Sequence, residues 1–515
     1  MAAWTVKAEY LQQVLPEYQD NPLIEALPDI LSASDTMKLL TKRPRYSADE
    51  RNLESKYRIH CLSRLLHEFY QPLPQHIDIE TRISVCLRQG YLNRNPLGKQ
   101  YTLMANESYE AMREKRQIRY IPGYHPNASG FTIIGVSGVG KSTAVESILS
   151  LYPQVIQHSL YHGEPLPVKQ IVWLKLDCPH NGSLGELCYR FFKAVDDAIE
   201  PEEKIFDQYK KSRITIDSML TNMQRLAQEY SLGMLVVDEV QHLSLAKGGS
   251  DAMLNFFVTL VNTIGVPVVL IGTSKAMPIL QGEFRQARRS SGHGDLIWNR
   301  MKKERTWITF VESMWEYQWL RNKVPLTAKM LDAFYEETQG IIVLAVILYV
   351  LIQEDAIISE RETFGAEDVG RVARQRMALV QPMLDALRKN DQKLIDKYED
   401  ITDILLEEVD RRLWSDLAKT ENQKSGETRT LEKLRNDILP FFVALKYRPE
   451  EIEPYIEQIY RENKTDDTKV IMTKVFELVK KEESNEPVQA EKKSQKQETG
   501  YEAFANKGLV DGKDW

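Results

Sequence analysis

Cysteine is scarce: Cys61, Cys86, Cys178 and Cys188 are the only four, and no two form a C-x-x-C pair. That excludes a disulfide-stapled secreted fold and suits a reducing cytoplasm. Cys178 and His180 stand close together but lack two further ligands, so no zinc site is expected. Long apolar runs are also missing. The longest, Ile341 to Ile352, falls short of the roughly 20 residues needed to cross a bilayer and predicts a buried helix. The opening Met1-Ala2-Ala3-Trp4-Thr5-Val6 has no basic segment followed by an apolar one, so no secretory leader is expected and the location read from the sequence is cytoplasmic. No internal period of about 20 to 50 residues is evident, which speaks against a repeat array. Nor does one sign of charge dominate, since 67 Lys and Arg stand against 74 Asp and Glu for a net charge of −7. Any nucleic-acid surface must therefore be local.

What is present is length. The 515 residues exceed one hydrophobic core and predict roughly two to four domains. Residues 1–45 mix Pro16, Pro22, Pro28 and Pro44 with short apolar clusters and read as an N-terminal arm. Residues 46–120 form a small helical domain, with Leu53, Tyr57, Cys61, Leu65 and Phe69 at helical spacing and a basic run from Arg113 to Tyr120. From 121 to 310 strands alternate with helices, which predicts a parallel sheet covered on both faces. A helical lid follows over 311–385, then charged helices over 386–480. The last segment, 481–515, reads as a flexible tail carrying a docking peptide at Gly500 to Ala505.

The chemistry gathers around Gly135-Val136-Ser137-Gly138-Val139-Gly140-Lys141-Ser142, followed by Thr143. The spacing G-x-x-x-x-G-K-S, after an apolar strand at Phe131 to Ile134 and before a helix over Thr143 to Leu151, is a phosphate-binding loop in its required context. Its backbone N–H groups and helix N-terminus face phosphate oxygens, Lys141 adds a full positive charge, and the Ser142 hydroxyl is a Mg²⁺ ligand. ATP is the expected occupant.

A second strand, Met234 to Val237, ends in Asp238 and Glu239. Asp238 is expected to hold the Mg²⁺ shell and Glu239 to polarise the attacking water. Thr273, after the strand Val268 to Ile271, is the candidate sensor of phosphate state, with Ser274 beside it. Phe284 to Arg289, backed by Arg300, Lys302, Lys303 and Arg305, offers Arg288 or Arg289 as a finger completing a neighbouring subunit's site. Lys210, Lys211, Arg213 and Thr215, near Lys204, form a basic and hydroxyl-bearing stretch suited to a DNA backbone.

These motifs together resemble an AAA+ ATPase of the TnsC family of transposition regulators and their TniB relatives. Gly90-Tyr91-Leu92-Asn93-Arg94-Asn95-Pro96 and Glu283 to Arg289 are similar to that family's own flanking segments, and the resemblance covers about residues 45 to 385. It implies an α/β AAA+ P-loop core with helical extensions that assembles with ATP into a ring or helical filament, hexamer- or heptamer-like, on duplex DNA. It also implies a link between a TniQ- or TnsD-type target selector and a TnsB transposase, with TnsA in some systems, as in CRISPR-associated transposons, and hydrolysis that disassembles the filament. The lid departs from many AAA+ relatives, because Gly340-Ile341-Ile342-Val343 carries no arginine for the γ-phosphate. Two rival readings are a STAND-type signalling ATPase and a replication initiator or helicase loader. The first usually carries repeats, and the second a C-terminal DNA-binding module.

Overall fold

The computed structural model describes residues 4–114, 130–201, 204–210, 215–245, 266–277, 294–391 and 394–395, and further along 434–435, 438–440, 442–443, 447–463 and 468–483. The chain divides into two units, Met1–Ser415 and Asp416–Trp515.

The first unit begins with strand β1 (Thr5–Lys7) and helices α1 (Pro22–Glu25) and α2 (Ala33–Leu40). Both helices start at a side-chain cap: Leu23 N–H donates to Asn21, and Asp35 N–H donates to Ser32. This segment reads as an extended arm in sequence, yet it is packed. Leu23, Ile24 and Leu27 are fully buried, Asn21 Nδ2 donates to Tyr91 O over 2.9 Å, and Thr5 pairs in parallel with Val155. The prolines interrupt helices without releasing the chain, because the short apolar clusters between them are enough to anchor it.

Helices α3 (Ser55–His67), α4 (Pro74–Leu92) and α5 (Lys99–Glu114) follow. The face of α3 carrying Ile59, Leu62 and Leu65 turns to the lid, and α4 lies against the α/β core. Asn93 closes α4, and the Gly90-to-Pro96 segment braces that contact: Tyr91 hydroxyl donates to Ser231 O (2.9 Å) and Arg94 to Leu232 O (2.5 Å).

The core contains β2 (Phe131–Gly135), α6 (Lys141–Leu149), β3 (Val155–Gln157), a small hairpin of β4 (Leu160–Tyr161) and β5 (Glu164–Pro165), β6 (Lys169–Ile171) and β7 (Trp173–Asp177). Then come α7 (Leu184–Ile199), α8 (Ile205–Lys210), α9 (Ile216–Glu229), β8 (Met234–Asp238), β9 (Val268–Gly272) and β10 (Asp295–Trp298). The main sheet has the order β10-β2-β9-β8-β7, every pair parallel. Strands β2, β8 and β9 are buried along their whole length, as parallel strands covered on both faces must be. On one face Phe191, Phe192, Met223 and Leu226 of α7 and α9 pack with Leu174, Leu235 and Val237. A separate sheet, β1-β3-β6, flanks the core.

The lid comprises α10 (Arg305–Trp315), α11 (Ala328–Thr338), α12 (Ile342–Ile358), α13 (Ala366–Arg376) and α14 (Gln381–Lys389). Helix α12 is apolar on nearly every face and forms the lid's centre, with Trp315 stacked on Tyr349 at 4.9 Å. In the second unit α15 (Pro449–Asn463) and α16 (Thr468–Glu483) share a small core with Leu434, Ile438 and Phe442.

Candidate functional site

Register sets the site. Ile134 of β2 pairs with Gly272 of β9, Trp298 of β10 with Gly135, and Asp177 of β7 with Asp238 of β8. The strands therefore end together, and the loops leaving β2, β8 and β9 rise from one sheet edge, where open α/β sheets bind ligands.

After β2 the chain passes through the left-handed region at Gly138 (φ 78°) and Gly140 (φ 96°), conformations that only glycine adopts at no steric cost. Ser137 and Val139 are buried, Val136, Gly138 and Gly140 half-buried, and α6 begins at Lys141, two residues earlier than the Thr143 start expected from the sequence. Ser142 is half-buried and Thr143 exposed. Lys141 is 8% exposed, and its ammonium turns back over the loop, donating to Gly135 O (2.8 Å) and Val136 O (3.0 Å). The lid closes on the same loop: Val343 N–H, at the start of α12, donates to Gly138 O over 3.3 Å.

Asp238 closes β8 and is 2% exposed. Lys175 of β7 reaches it at 3.2 Å from Oδ2 and also meets Asp177 Oδ1 at 2.8 Å and Glu146 Oε1 of α6 at 3.0 Å. Burial works against the ammonium, but Asp238, Asp177 and Glu146 more than offset it and hold Lys175 above the ordinary lysine range. Next to it the Cys178 thiol is pushed up by burial and by the Asp238 and Glu239 carboxylates.

Glu239 leaves the strand with φ 56°, its N–H donating to Asp238 Oδ1 at 2.8 Å. A short 3₁₀ turn, Val240–Leu245, follows and brings Gln241 back over the strand ends. Gln241 is buried; its Nε2 donates to Glu239 Oε2, and its Oε1 accepts Thr273 N–H at 3.1 Å. Thr273, 4% exposed at the end of β9, has a hydroxyl oxygen with no partner among the described residues. A buried hydroxyl left unpaired is costly.

The structure thus brings Lys141, Asp238, Glu239 and Thr273 to one edge. Others fall elsewhere. Arg288 and Arg289, with the rest of Phe284 to Arg289, lie outside the described residues, as do Lys211 and Arg213. Lys210 ends α8, and Thr215 caps α9, accepting Ser218 N–H at 3.3 Å. Arg300 and Lys303, read in sequence as backing for a finger, are tied to the lid instead: Arg300 donates to Gln339 Oε1 (2.6 Å) and Leu387 O (3.1 Å), and Lys303 pairs with Asp332 (2.6 Å). Sequence reading missed Lys175 and Gln241. The signals were a single lysine within the apolar Ile171 to Leu176 run and a glutamine two residues beyond the carboxylate pair.

Residues 126–280 match the family model of an AAA domain. This fold is an AAA+ core. Its parallel sheet, phosphate loop and helical lid carry helical extensions on either side. No curated protein matches the chain in sequence. Among solved structures the chain is similar to the ORC1 protein of Aeropyrum pernix in complex with DNA, at 15% identity and a TM-score of 0.33, covering 62% of this chain and 82% of that one. It is similar also to Cdc6p of Pyrobaculum aerophilum (14%, TM-score 0.35, 63% and 85%) and to Drosophila ORC bound to DNA (11%, TM-score 0.31, 68% and 87%). Among the described residues no helix is long and apolar enough to cross a membrane.

Proposed function

We propose that this chain is an ATP-hydrolysing AAA+ regulator of DNA transposition that assembles on duplex DNA and is released by hydrolysis. The observation that carries the ATPase part is the convergence at one sheet edge of Lys141, Asp238, Glu239 and the Thr273 hydroxyl, which has no partner among the described residues. The residues fit Mg²⁺ and ATP: two left-handed glycines open a backbone nest, and Ser142 and Asp238 supply the oxygen ligands such a cation takes. When bound, Mg²⁺ neutralises charge on the phosphate oxygens. Lys141 binds the β- and γ-phosphates, Glu239 orients and deprotonates water, and Thr273 hydrogen-bonds the γ-phosphate while it is present.

The transposition part rests on the sequence resemblance to TnsC and TniB proteins. In this reading Arg288 or Arg289 completes a neighbour's site, Lys210, Lys211, Arg213 and Thr215 line the DNA path, and the partners are a TniQ- or TnsD-type selector and a TnsB transposase, with or without TnsA. Electron microscopy of the full chain with random duplex DNA tests it. Rings or filaments in ATPγS but not in ADP are expected; monomers in both, with ATPase activity intact, would overturn the DNA role.

One observation favours a second reading, a replication initiator or helicase loader. Leu434, Ile438, Phe442, Ile456 and Val475 are buried together in one small core, as in a discrete DNA-binding module. Sequence-selective binding by the full chain, competed by one duplex and not by random DNA, would favour that reading over the transposition one.

A further inference from the structure

We propose that Gln241 is a positioning residue that fixes the orientation of the Glu239 carboxylate against the sensor strand β9. The inference rests on the ATPase reading above and adds a residue to it.

The local backbone makes this a narrow fit. Glu239 is in the left-handed region, so the chain turns out of β8 at once and the 3₁₀ turn carries Gln241 back toward β9. The approach is close: a Cβ built on Gly272 would meet Val240 Cγ2 at 2.7 Å and Gln241 Oε1 at 3.1 Å. Gln241 is buried, and its amide uses both ends. The NH₂ group donates to Glu239 Oε2, and the carbonyl oxygen accepts Thr273 N–H. An amide is planar, so its two ends cannot move independently. A displacement of Thr273 is therefore carried to Glu239, and the Glu239 carboxylate, flexible in itself, is held at one angle. Gln241 takes the Thr273 N–H and not its hydroxyl, which has no partner among the described residues, so the residue that would touch the γ-phosphate and the residue that would activate water are joined through one amide.

Gln241→Glu separates this role from simple packing. It keeps the shape and the acceptor for Thr273 N–H but removes the donor to Glu239 and sets two carboxylates side by side. With Mg²⁺ and ATP, kcat should fall about tenfold or more, a part of the 10²–10⁴ that a positioned general base provides, while KM and ATPγS affinity remain near wild type. In a Glu239→Gln background the same change should produce no further loss, since the orientation it controls no longer matters. If Gln241→Glu does not fold, Gln241→Met, of similar length and without hydrogen bonds, takes the same kcat measurement. Wild-type kcat in the variant, or a loss confined to KM and ATPγS binding, would overturn the inference while leaving the ATPase reading in place. A wild-type protein that does not hydrolyse ATP would overturn both.

Discussion

Side chains at the sheet edge divide the work by burial and partner. Glu239→Gln should bind ATP normally, lose turnover by at least about 10²-fold and remain on DNA, and filter binding beside a phosphate-release assay would check this. Thr273→Val preserves volume but removes the hydroxyl. It should lower kcat with little change in ATPγS affinity, and an unchanged kcat would remove Thr273 from the chemistry. Lys175→Met leaves the buried Asp238 carboxylate uncompensated and should lower stability by about 3–5 kcal/mol in the absence of nucleotide. Adding Mg²⁺ and ATPγS should narrow the Tm gap, because a cation bound beside Asp238 replaces the lost charge. The left-handed turn at Gly138 and Gly140 and the adjacent Asp238 and Glu239 were legible in sequence because each is a contiguous stretch whose geometry is set locally. Lys175 and Gln241 were not: each acts across strands, and no local spacing records that Asp177 lies beside Asp238 or that Thr273 lies beside Gln241.

Among the elements, the long ones were legible and the short ones were not. Helix α12 announced itself by an unbroken apolar run, and β2, β8 and β9 by buried apolar strands bounded by glycine or acid. Strand β10 contributes only Leu296 and Trp298 to the interior, and β1, β3 and β6 have three residues each, too few for a period to appear. Helix α3 was read as part of a separate domain because nothing in its sequence names its partner. That partner is the lid. Arg58, fully buried, pairs at 2.6 Å with Glu362 and donates to Trp319 O at 3.0 Å. Burial raises the Glu362 pKa, but the Arg58 hydrogen bonds and Arg321 more than reverse this and hold it below the usual range. Arg58→Met should therefore destabilise the fold by about 3–5 kcal/mol, read from urea unfolding. Helix α4 gives a pH test. His76 is buried near its start, accepting Leu73 N–H at 2.9 Å and facing Tyr70 hydroxyl at 2.6 Å. Burial lowers its pKa to about 4 from 6.5, although the Leu73 carbonyl, 3.2 Å from Nδ1, raises it. An unfolded histidine takes up a proton that the folded one refuses, so stability should fall between pH 6.5 and 4 by at most about 3 kcal/mol. His76→Gln should flatten that part of the Tm–pH curve, and an equally steep curve would clear His76 of the effect.

At the scale of the whole molecule, every residue assigned to nucleotide chemistry lies in Met1–Ser415, and the core of α15 and α16 belongs to Asp416–Trp515. Deleting residues 416–515 should leave ATPγS affinity within about twofold of the full chain while changing what the assembly recruits; a tenfold loss of affinity would show that the second unit serves the nucleotide site. The packed N-terminal segment has a different consequence, one of timing. Thr5 pairs with Val155, so the ribosome completes this strand before its partner exists. At roughly 5–20 residues per second, residues 5–7 wait on the order of ten seconds or more for residues 155–157 to appear. Until then the contacts of this segment with residues 155–170, such as the bond from Gln170 to Leu23 O, cannot form, and the nascent chain offers Leu23, Ile24 and Leu27 to chaperones, to proteases and to other copies emerging from the same message.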